Sequence, residues 1–328
     1  MSKIIVLSLI LAMVSTCGQD NNLTYLASDN DNIALSSWMK KIPDNTPVAK
    51  LSIPGTHDTG AYVQGGPLII TQDITIAEQL DAGIRAMDIR LRAVNDSYMQ
   101  VYHGIASQKH NFEEDVLPTV INFLRANPSE TIIMSVKKEG DDINSPKGYV
   151  ALLREILNKP AFNAYIATFS NEIKLADVRG KILFMHRDNI GYPVIGANFI
   201  GWRDNAVFTA TIQGNQVQSK VHVQDCYKVP TLLSSDINFK HKVIRENLAK
   251  ASESTLSSDW FITFTSGTGL GAYPNAIAYR INKPTANYIN QNNLQSCGIV
   301  FMDFAGWDDS KLLTKAIIDC NFRLLTHE

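Results

Sequence analysis

The chain has 328 residues, of which 45% are hydrophobic and 19% are charged. Its 19 glycines and 12 prolines exclude collagen-like, low-complexity and disordered classes. Its 30 Lys and Arg against 32 Asp and Glu give a formal net charge of −2, so the basic excess typical of nucleic-acid-binding proteins is missing. We therefore predict a globular protein with no nucleic-acid partner.

Residues 1–17 predict an export signal. Lys3 precedes an apolar run at residues 4–14 that is too short to span a bilayer, and small residues follow it. A buried N-terminal strand or helix is the alternative, which the polar stretch at residues 19–22 disfavours. Residues 14–17 (VSTC) also resemble a bacterial lipoprotein box, so anchoring through Cys17 stays open. We expect a secreted protein with a flexible segment at residues 18–35 and one folded region at residues 36–328.

Apolar runs alternate with helical patterns along the rest of the chain. Several runs are continuous, which is typical of strands covered on both faces. We predict strands at residues 48–53, 84–91, 98–103, 131–136, 181–185, 260–265 and 298–304. Helices are predicted from Asn111, at residues 149–157 and at residues 310–320, and Pro118 implies that the first is kinked or begins later. Residues 202–228 are interpreted as barrel strands with long loops. This alternation predicts one α/β domain built as a closed or nearly closed barrel.

Cysteines are sparse in this chain. After Cys17 only Cys226, Cys297 and Cys320 remain, and an odd number cannot form a complete disulfide framework in an exported protein. A bridge between Cys297 and Cys320 needs a geometry that sequence cannot supply, so free buried thiols are the favoured interpretation. No CxxC pair, HExxH motif or Cys/His cluster predicts a structural zinc site.

Polar side chains stand at or just beyond the ends of three predicted strands. Residues 51–60 (LSIPGTHDTG) break an apolar run with Pro-Gly and place His57 and Asp58 just beyond it. Arg90 and His103 stand at the ends of two further strands. Two imidazoles can accept and donate protons, and a guanidinium can grip phosphate oxygens, so the set suits phosphate-ester chemistry. Taken singly, each histidine could be structural, and Arg90 could simply pair with Asp88.

The amino-acid sequences of several segments resemble those of the bacterial phosphatidylinositol-specific phospholipases C. The most specific block is residues 128–139 (PSETIIMSVKKE). The other matching segments, in the family's order, are residues 38–44, 53–58, 88–90, 103–104, 179–182, 223–229 and 286–289. The resemblance covers nearly everything after the export segment. It implies a distorted, incompletely closed TIM barrel and a phosphatidylinositol diacylglycerol-lyase activity that needs no cofactor.

The resemblance also implies a role for five catalytic residues. His57 would be the general base for the inositol 2-hydroxyl, and Asp303 would orient it. Arg90 would hold the phosphate, and His103 would be the general acid with Asp58 as its partner. The implied products are diacylglycerol and inositol 1,2-cyclic phosphate, and slow hydrolysis of the cyclic product could follow.

Inositol recognition carries over onto four residues. The resemblance assigns it to Lys137, Arg187, Asp225 and Tyr227, whose charges, hydrogen-bonding groups and aromatic face suit a ring of hydroxyls. The alternatives are that Lys137 and the adjacent lysine form a solvated pair, and that Arg187 is one of several charges in its segment.

The expected lyase activity and the alternative enzymatic activity differ in whether they need a metal ion. Eukaryotic relatives place carboxylates around calcium, whereas Arg90 stands where they carry an acidic ligand, so we expect no metal. The alternatives are a metal-dependent glycerophosphodiesterase on the same barrel and a catalytically silent inositol-phosphate-binding protein.

The loops at the rim of the predicted barrel govern the expected contact with membranes. Family members often carry exposed tryptophans there. Residues 65–72 and 267–273 of this chain offer instead Leu68, Ile69, Ile70, Leu270 and Tyr273, which are either an interfacial patch or loop packing. We expect a monomer that binds phosphatidylinositol in membranes peripherally and transiently. Free phosphatidylinositol and glycosylphosphatidylinositol anchors both stay open as substrates.

Overall fold

The computed structural model describes residues 34–325 of the chain. The predicted export signal at residues 1–17 lies outside the described residues, as does nearly all of the segment at residues 18–35. Across residues 34–325, no helix is both long enough and apolar enough to cross a membrane.

Eleven strands of the described region join in one sheet. They are β1 (Ile53–Thr56), β2 (Ala86–Val94), β3 (Tyr98–His103), β4 (Ala106–Asn111), β5 (Ile132–Lys138), β6 (Ile182–His186), β7 (Ala197–Ile200), β8 (Val207–Gln213), β9 (Gln218–Gln224), β10 (Trp260–Phe264) and β11 (Ile299–Met302).

Helices connect most of these strands. They are α1 (Ile76–Asp81), α2 (Leu117–Ala126), α3 (Gly148–Leu157), α4 (Pro160–Asn163), α5 (Leu175–Val178), α6 (Ser234–Glu253), α7 (Pro274–Gln291) and α8 (Asp308–Leu325). A 3-10 helix at Leu35–Lys41 precedes them, a second covers Val48–Lys50, and a π-helical turn at Phe112–Val116 leads into α2.

The sheet curls into a barrel of nine strands in the order β1, β11, β10, β9, β8, β7, β6, β5 and β2. Strands β3 and β4 continue from the edge of β2 outside the ring. The predicted α/β barrel is confirmed, and its distortion has a visible source, because β8 runs antiparallel to both of its neighbours, β7 and β9. The barrel differs from the incompletely closed one that was expected, because its ring is complete. Gly55 pairs with Ala86 and Thr56 with Met87, so β1 and β2 close the ring.

The first strand is where the sequence prediction is wrong. Residues 48–50 form a 3-10 helix, and β1 begins only at Ile53 and runs through the Pro-Gly pair that was expected to end it. Short apolar runs do not distinguish helix from strand, and Val48 is buried in either case. Gly55 is required inside β1, because a Cβ there would lie 2.8 Å from Cβ of Ala86 and 2.9 Å from the Phe301 ring.

The other six predicted strands overlap observed strands, and β3 has the predicted bounds. The helix expected from Asn111 begins with the π-helical turn, and the Asn111 side chain accepts hydrogen bonds from the first free backbone N–H groups. Pro118 falls in the first turn of α2, where its missing N–H costs nothing. Residues 202–228 contain the β8–β9 hairpin, as interpreted, whereas α6 and α7 were not predicted.

A buried ion pair ties the N-terminal face of the barrel together. Arg85 Nε lies 2.8 Å from Oε2 of Glu130, and both side chains are fully buried. The Arg85 guanidinium also donates to the carbonyls of Leu80, Ile84 and Leu35. Burial lowers the pKa of Arg85 to about 10, against the opposing effect of Glu130. One cation therefore satisfies groups from three segments.

We expect Arg85→Met to destabilise the protein by about 3–5 kcal/mol, because it leaves the Glu130 carboxylate buried without its cation. Urea denaturation near neutral pH measures the change. Arg125→Met, at an exposed position on α2, is the matched control and should cost well under 1 kcal/mol. Equal losses of unfolding free energy in the two variants would contradict a stabilising role for the ion pair between Arg85 and Glu130.

Candidate active site

A pocket opens at the C-terminal ends of the barrel strands. In a parallel barrel the loops at this end assemble the functional groups. Seven of the nine predicted site residues line the pocket, and they are His57, Arg90, His103, Lys137, Arg187, Asp225 and Tyr227. Asp58 and Asp303 are buried directly behind them. The structure therefore brings all nine residues together.

The site residues stand at or near the C-terminal ends of several barrel strands. His57 follows β1, Asp303 follows β11, and the backbone N–H of His57 donates to the carbonyl of Met302 at 2.9 Å. Asp58 has a positive φ of 44°, a conformation that Asp tolerates better than most residues. This turn directs both His57 and Asp58 toward the pocket.

The two nitrogens of His57 have different partners. Nδ1 lies 2.8 Å from Oδ1 of Asp303, and Nε2 lies 2.8 Å from Nη2 of Arg90. A guanidinium can only donate, so Nε2 accepts and Nδ1 carries the proton that it donates to Asp303. The imidazole is therefore neutral, and the electron pair of Nε2 accepts a hydrogen bond from Arg90 at the pocket wall. Burial, followed by the charge of Arg90, holds the pKa of His57 well below its usual value.

The Arg90 guanidinium occupies the centre of the acidic groups. Nη1 lies 2.9 Å from Oδ2 of Asp58, and Nη2 lies 3.1 Å from Oδ2 of Asp88. Glu139 is the third carboxylate, at 3.8 Å. Burial lowers the pKa of Arg90, but Asp58 and Asp88 raise it by more, so it stays above its usual value. The pairing with Asp88 that the sequence left open exists, and it is part of the site.

His103 is held on both sides. Its Nδ1 donates to the carbonyl of Ile69 at 2.7 Å, and its Nε2 lies 3.3 Å from Oδ2 of Asp58. In the protonated form both nitrogens donate, one to a carbonyl and one to a carboxylate. Burial raises the pKa of Asp58 to about 6, although Arg90 and His103 oppose the shift. The geometry suits a proton donor at the pocket wall.

The pKa values of the other two buried carboxyls, Asp303 and Asp88, are shifted in opposite directions. Burial raises the pKa of Asp303 well above its usual value, and the nearby Asp58 adds to the effect. Burial acts in the same direction on Asp88, but Arg90 and Arg187 outweigh it and hold the Asp88 pKa well below its usual range. Asp88 is therefore the permanent counter-charge of the two arginines.

The other half of the pocket is polar and partly preorganised. The Arg187 guanidinium lies over the ring of Trp202 at 4.2 Å, and Trp202 Nε1 donates to Asp225 at 3.3 Å. Tyr227 donates its hydroxyl to Asp204 at 3.1 Å. Trp202 therefore supports both Arg187 and Asp225 from below.

Lys137 does not form a solvated pair with Lys138. Lys137 lines the pocket and contacts Glu139 at 3.0 Å, whereas Lys138 turns to Asp142, also at 3.0 Å. The two adjacent side chains of β5 thus serve different surroundings.

Several residues in or around the site lay outside the sequence-based site prediction, among them Asp204, which lines the pocket and accepts a hydrogen bond from Tyr227. Asp88 and Glu139 stand inside the matched segments, two residues from Arg90 and Lys137 on the same side of their strands, and this spacing could have found them. Trp202 gave no such signal, and neither did Lys240, on α6. Lys240 is fully buried, and burial lowers its pKa to about 8.

Lys240 supports from behind the stretch of backbone that carries the predicted inositol ligands Asp225 and Tyr227. Its Nζ donates to the carbonyl of Cys226 at 2.9 Å. Cys226 itself is buried, and its two chain neighbours, Asp225 and Tyr227, line the pocket. The bond gives this stretch of backbone a fixed support.

Within residues 34–325, no group of three His, Cys, Asp or Glu side chains is placed to hold a metal ion. The carboxylates of Asp58 and Asp88 converge on the Arg90 guanidinium instead. A cation of the protein itself thus fills the position between them.

Comparison with known proteins gives concordant similarities. Residues 47–188 match the family model described as phosphatidylinositol-specific phospholipase C, X domain. The chain is 30% identical to a 1-phosphatidylinositol phosphodiesterase of Staphylococcus aureus, over 97% of this chain and 98% of that protein. It is 31% identical to the Listeria monocytogenes protein of the same name, over 84% and 82%. A crystal structure of the S. aureus phosphatidylinositol-specific phospholipase C carrying pentafluoro-Phe superposes with a TM-score of 0.79 at 29% identity, over 88% of this chain and 98% of that one.

The neutral state of His57 can be tested by NMR titration. In long-range ¹⁵N–¹H spectra we expect the imidazole to titrate well below about 6.5, the ordinary histidine value. Arg90→Met should raise the His57 pKa, because it removes a positive charge that opposes protonation. Lys138→Met, which removes a cation paired with Asp142, should leave it unchanged. A His57 pKa at or above the ordinary value in the unmodified protein would contradict the geometry.

Proposed function

The chain belongs to the phosphatidylinositol-specific phospholipase C family, and from this membership and the pocket geometry we propose that it cleaves phosphatidylinositol to diacylglycerol and inositol 1,2-cyclic phosphate. The observation that carries the proposal is the arrangement of His57, Arg90 and His103. A proton acceptor, a phosphate-binding cation and a proton donor line one pocket. The reaction needs these three groups and no redox chemistry.

In the proposed first step, His57 is the general base. Its Nε2 takes the proton of the inositol 2-hydroxyl, and that oxygen attacks the adjacent phosphorus. The resulting imidazolium is stabilised by Asp303, which already accepts a hydrogen bond from Nδ1. Substrate must displace Arg90 from Nε2, and the phosphate oxygens are the natural new acceptors for its N–H groups.

The leaving group departs with a proton from His103. The bond between phosphorus and the glycerol oxygen breaks, and His103 protonates that oxygen to give diacylglycerol. Arg90 stabilises the charge that develops on the phosphate oxygens. A slow second step can open the cyclic phosphate with water, and the two histidines then exchange roles.

Recognition of the inositol ring is proposed for the other half of the pocket. Lys137, Arg187 and Asp225 supply charged partners for hydroxyl groups, and Tyr227 supplies a flat apolar face. The contact between Tyr227 and Asp204 supports this role, because it fixes the ring at the pocket wall. A glycosylphosphatidylinositol anchor carries the same inositol phosphodiester, so the proposal extends to anchored substrates.

We propose that the enzyme acts as a secreted monomer that touches the membrane only through its rim. Leu68 lines the pocket mouth and is 53% exposed, and Leu270 on the neighbouring loop is 93% exposed. Apolar side chains so exposed favour contact with a lipid interface. Tyr273 is also exposed, whereas Ile69 and Ile70 are half-buried and belong partly to loop packing.

Phosphorus NMR with phosphatidylinositol in detergent and excess EDTA tests the activity. We expect a cyclic inositol phosphate signal in EDTA, because Arg90 already supplies the cation that the phosphate needs. His57→Ala should reduce its rate of formation by about 10³-fold. His222→Ala, on a barrel histidine that hydrogen-bonds to Thr209 instead, should leave the rate unchanged.

Other outcomes of the same experiment point elsewhere. If no cyclic inositol phosphate forms in EDTA and calcium restores its formation, the metal-dependent alternative is correct. If no product forms with EDTA or with calcium, a binding protein or a different lipid substrate is favoured. Unchanged turnover in His57→Ala would overturn the mechanism.

The ionisation of Asp58 predicts the acidic side of the pH profile. Because burial raises the Asp58 pKa to about 6, we expect kcat/KM to fall as the pH decreases through that value and His103 loses its anionic partner. Asp58→Asn should remove this limb and lower the plateau by about 10²-fold. Asp142→Asn, outside the pocket, should keep the full profile. An acidic limb that survives unchanged in Asp58→Asn would show that another group controls it.

A further inference from the structure

Two cysteine thiols meet at the N-terminal end of the barrel, opposite the pocket. Sγ of Cys297 and Sγ of Cys320 lie 3.3 Å apart, and both side chains are fully buried. Cys297 stands just before β11, and Cys320 lies on α8. Both are free thiols in this structure. The pair therefore connects the last strand of the barrel with the C-terminal helix.

We propose that Cys297 and Cys320 are a disulfide site, which closes when the chain folds in the presence of a disulfide oxidant. A disulfide bond is about 2.05 Å long, so the two sulfurs need to approach by a little more than 1 Å. Such a change is within reach of side-chain torsions once the two backbone segments are already adjacent.

Ser52 fixes both segments and supports this selective pairing. The backbone N–H of Cys297 donates to Oγ of Ser52 at 2.9 Å. The side chain of Asn321, next to Cys320, accepts from the Ser52 N–H at 2.8 Å and donates to the Ser52 carbonyl at 2.9 Å. One buried residue thus holds Cys297 and the chain neighbour of Cys320, and this keeps the two backbone segments adjacent. Cys226 lies at the pocket end of β9 and has no part in this arrangement.

The reaction is an ordinary thiol–disulfide exchange. One cysteine thiolate attacks an external disulfide such as oxidised glutathione, forms a mixed disulfide and releases one small thiol. The second thiolate attacks the protein sulfur of that mixed disulfide and releases the second small thiol. Two electrons pass from the cysteine pair to the oxidant. The export predicted for this chain would take it to a compartment where such bonds persist.

Burial sets the time at which the bond forms. The neighbouring thiol and then burial hold the pKa of Cys297 well above its usual value, so the folded protein presents little thiolate and no access for an oxidant. Exchange should therefore occur before α8 docks on the barrel. Once formed, the bond would be equally shielded from reductants.

The expected effect is on stability and not on turnover. The cross-link would join the strand end before β11 to the C-terminal helix, whereas Asp303 follows the opposite end of β11. The cross-link would close a loop over residues 297–320, and this restricts the unfolded chain enough to raise the midpoint of thermal unfolding by about 5 °C.

The test is refolding of the full chain from urea in a glutathione redox buffer, followed by denaturation, alkylation and peptide mass mapping. We expect two of the four cysteines to escape alkylation and a linked peptide pair that contains Cys297 and Cys320. Native protein in the same buffer should oxidise much more slowly. Cys226→Ser should keep the cross-link and the higher melting midpoint, whereas Cys320→Ala should lose both without loss of lyase activity.

Full alkylation of all cysteines after oxidative refolding would overturn the proposal, and so would a predominant bridge that involves Cys226. A Cys297–Cys320 link that forms without any rise of the melting midpoint would overturn its stabilising role. These readouts are independent of the lipid-cleavage assay, so failure of one proposal is distinguishable from failure of the other.

Discussion

The site depends on one buried cation among several buried acids. Asp58, Asp88 and Glu139 converge on Arg90, and without that charge their mutual repulsion and desolvation would disfavour the ionised cluster. The same guanidinium keeps His57 neutral by charge and by occupying its Nε2. Arg90 thus keeps the proposed base unprotonated and also occupies the position where the phosphate is proposed to bind. A catalytic role for Arg90 and its role in assembling the pocket are therefore not separable.

Much of the site could be predicted because its residues occupy short local patterns. His57 and Asp58 share one turn, and the spacing of Asp88 and Arg90 follows from the alternation of side chains along a strand. The contributions that escaped prediction act through space. Trp202 supports Arg187 and Asp225 from an irregular loop, and Lys240 reaches Cys226 from a helix outside the barrel. No spacing in the sequence encodes such contacts.

The fold was predictable for most strands and failed for the first one. Six strands were found, but the 48–53 segment was misplaced, since Lys50 and Ser52 interrupt its apolar run and tertiary packing then decides between strand and helix. α6 and α7 are polar on average and carry Asn, Lys and a proline at interior positions, so their helical pattern is diluted. Their buried faces are recognisable only beside the strands that they cover. The ring closure between β1 and β2 rests on two residue pairs, which no sequence pattern could specify.

The pairing of the first barrel strand with the last has a consequence for the protein during its synthesis. β1 lies beside β11, and the partner of His57 in the imidazole–carboxylate pair stands 246 positions further along the chain. Contacts so distant in sequence form late, because the intervening chain must first be made and ordered. A nascent polypeptide therefore holds the proposed general base without its orienting carboxylate until almost the whole chain has emerged. The long-range pairing of β1 with β11 thus delays assembly of the proposed site until synthesis is nearly complete.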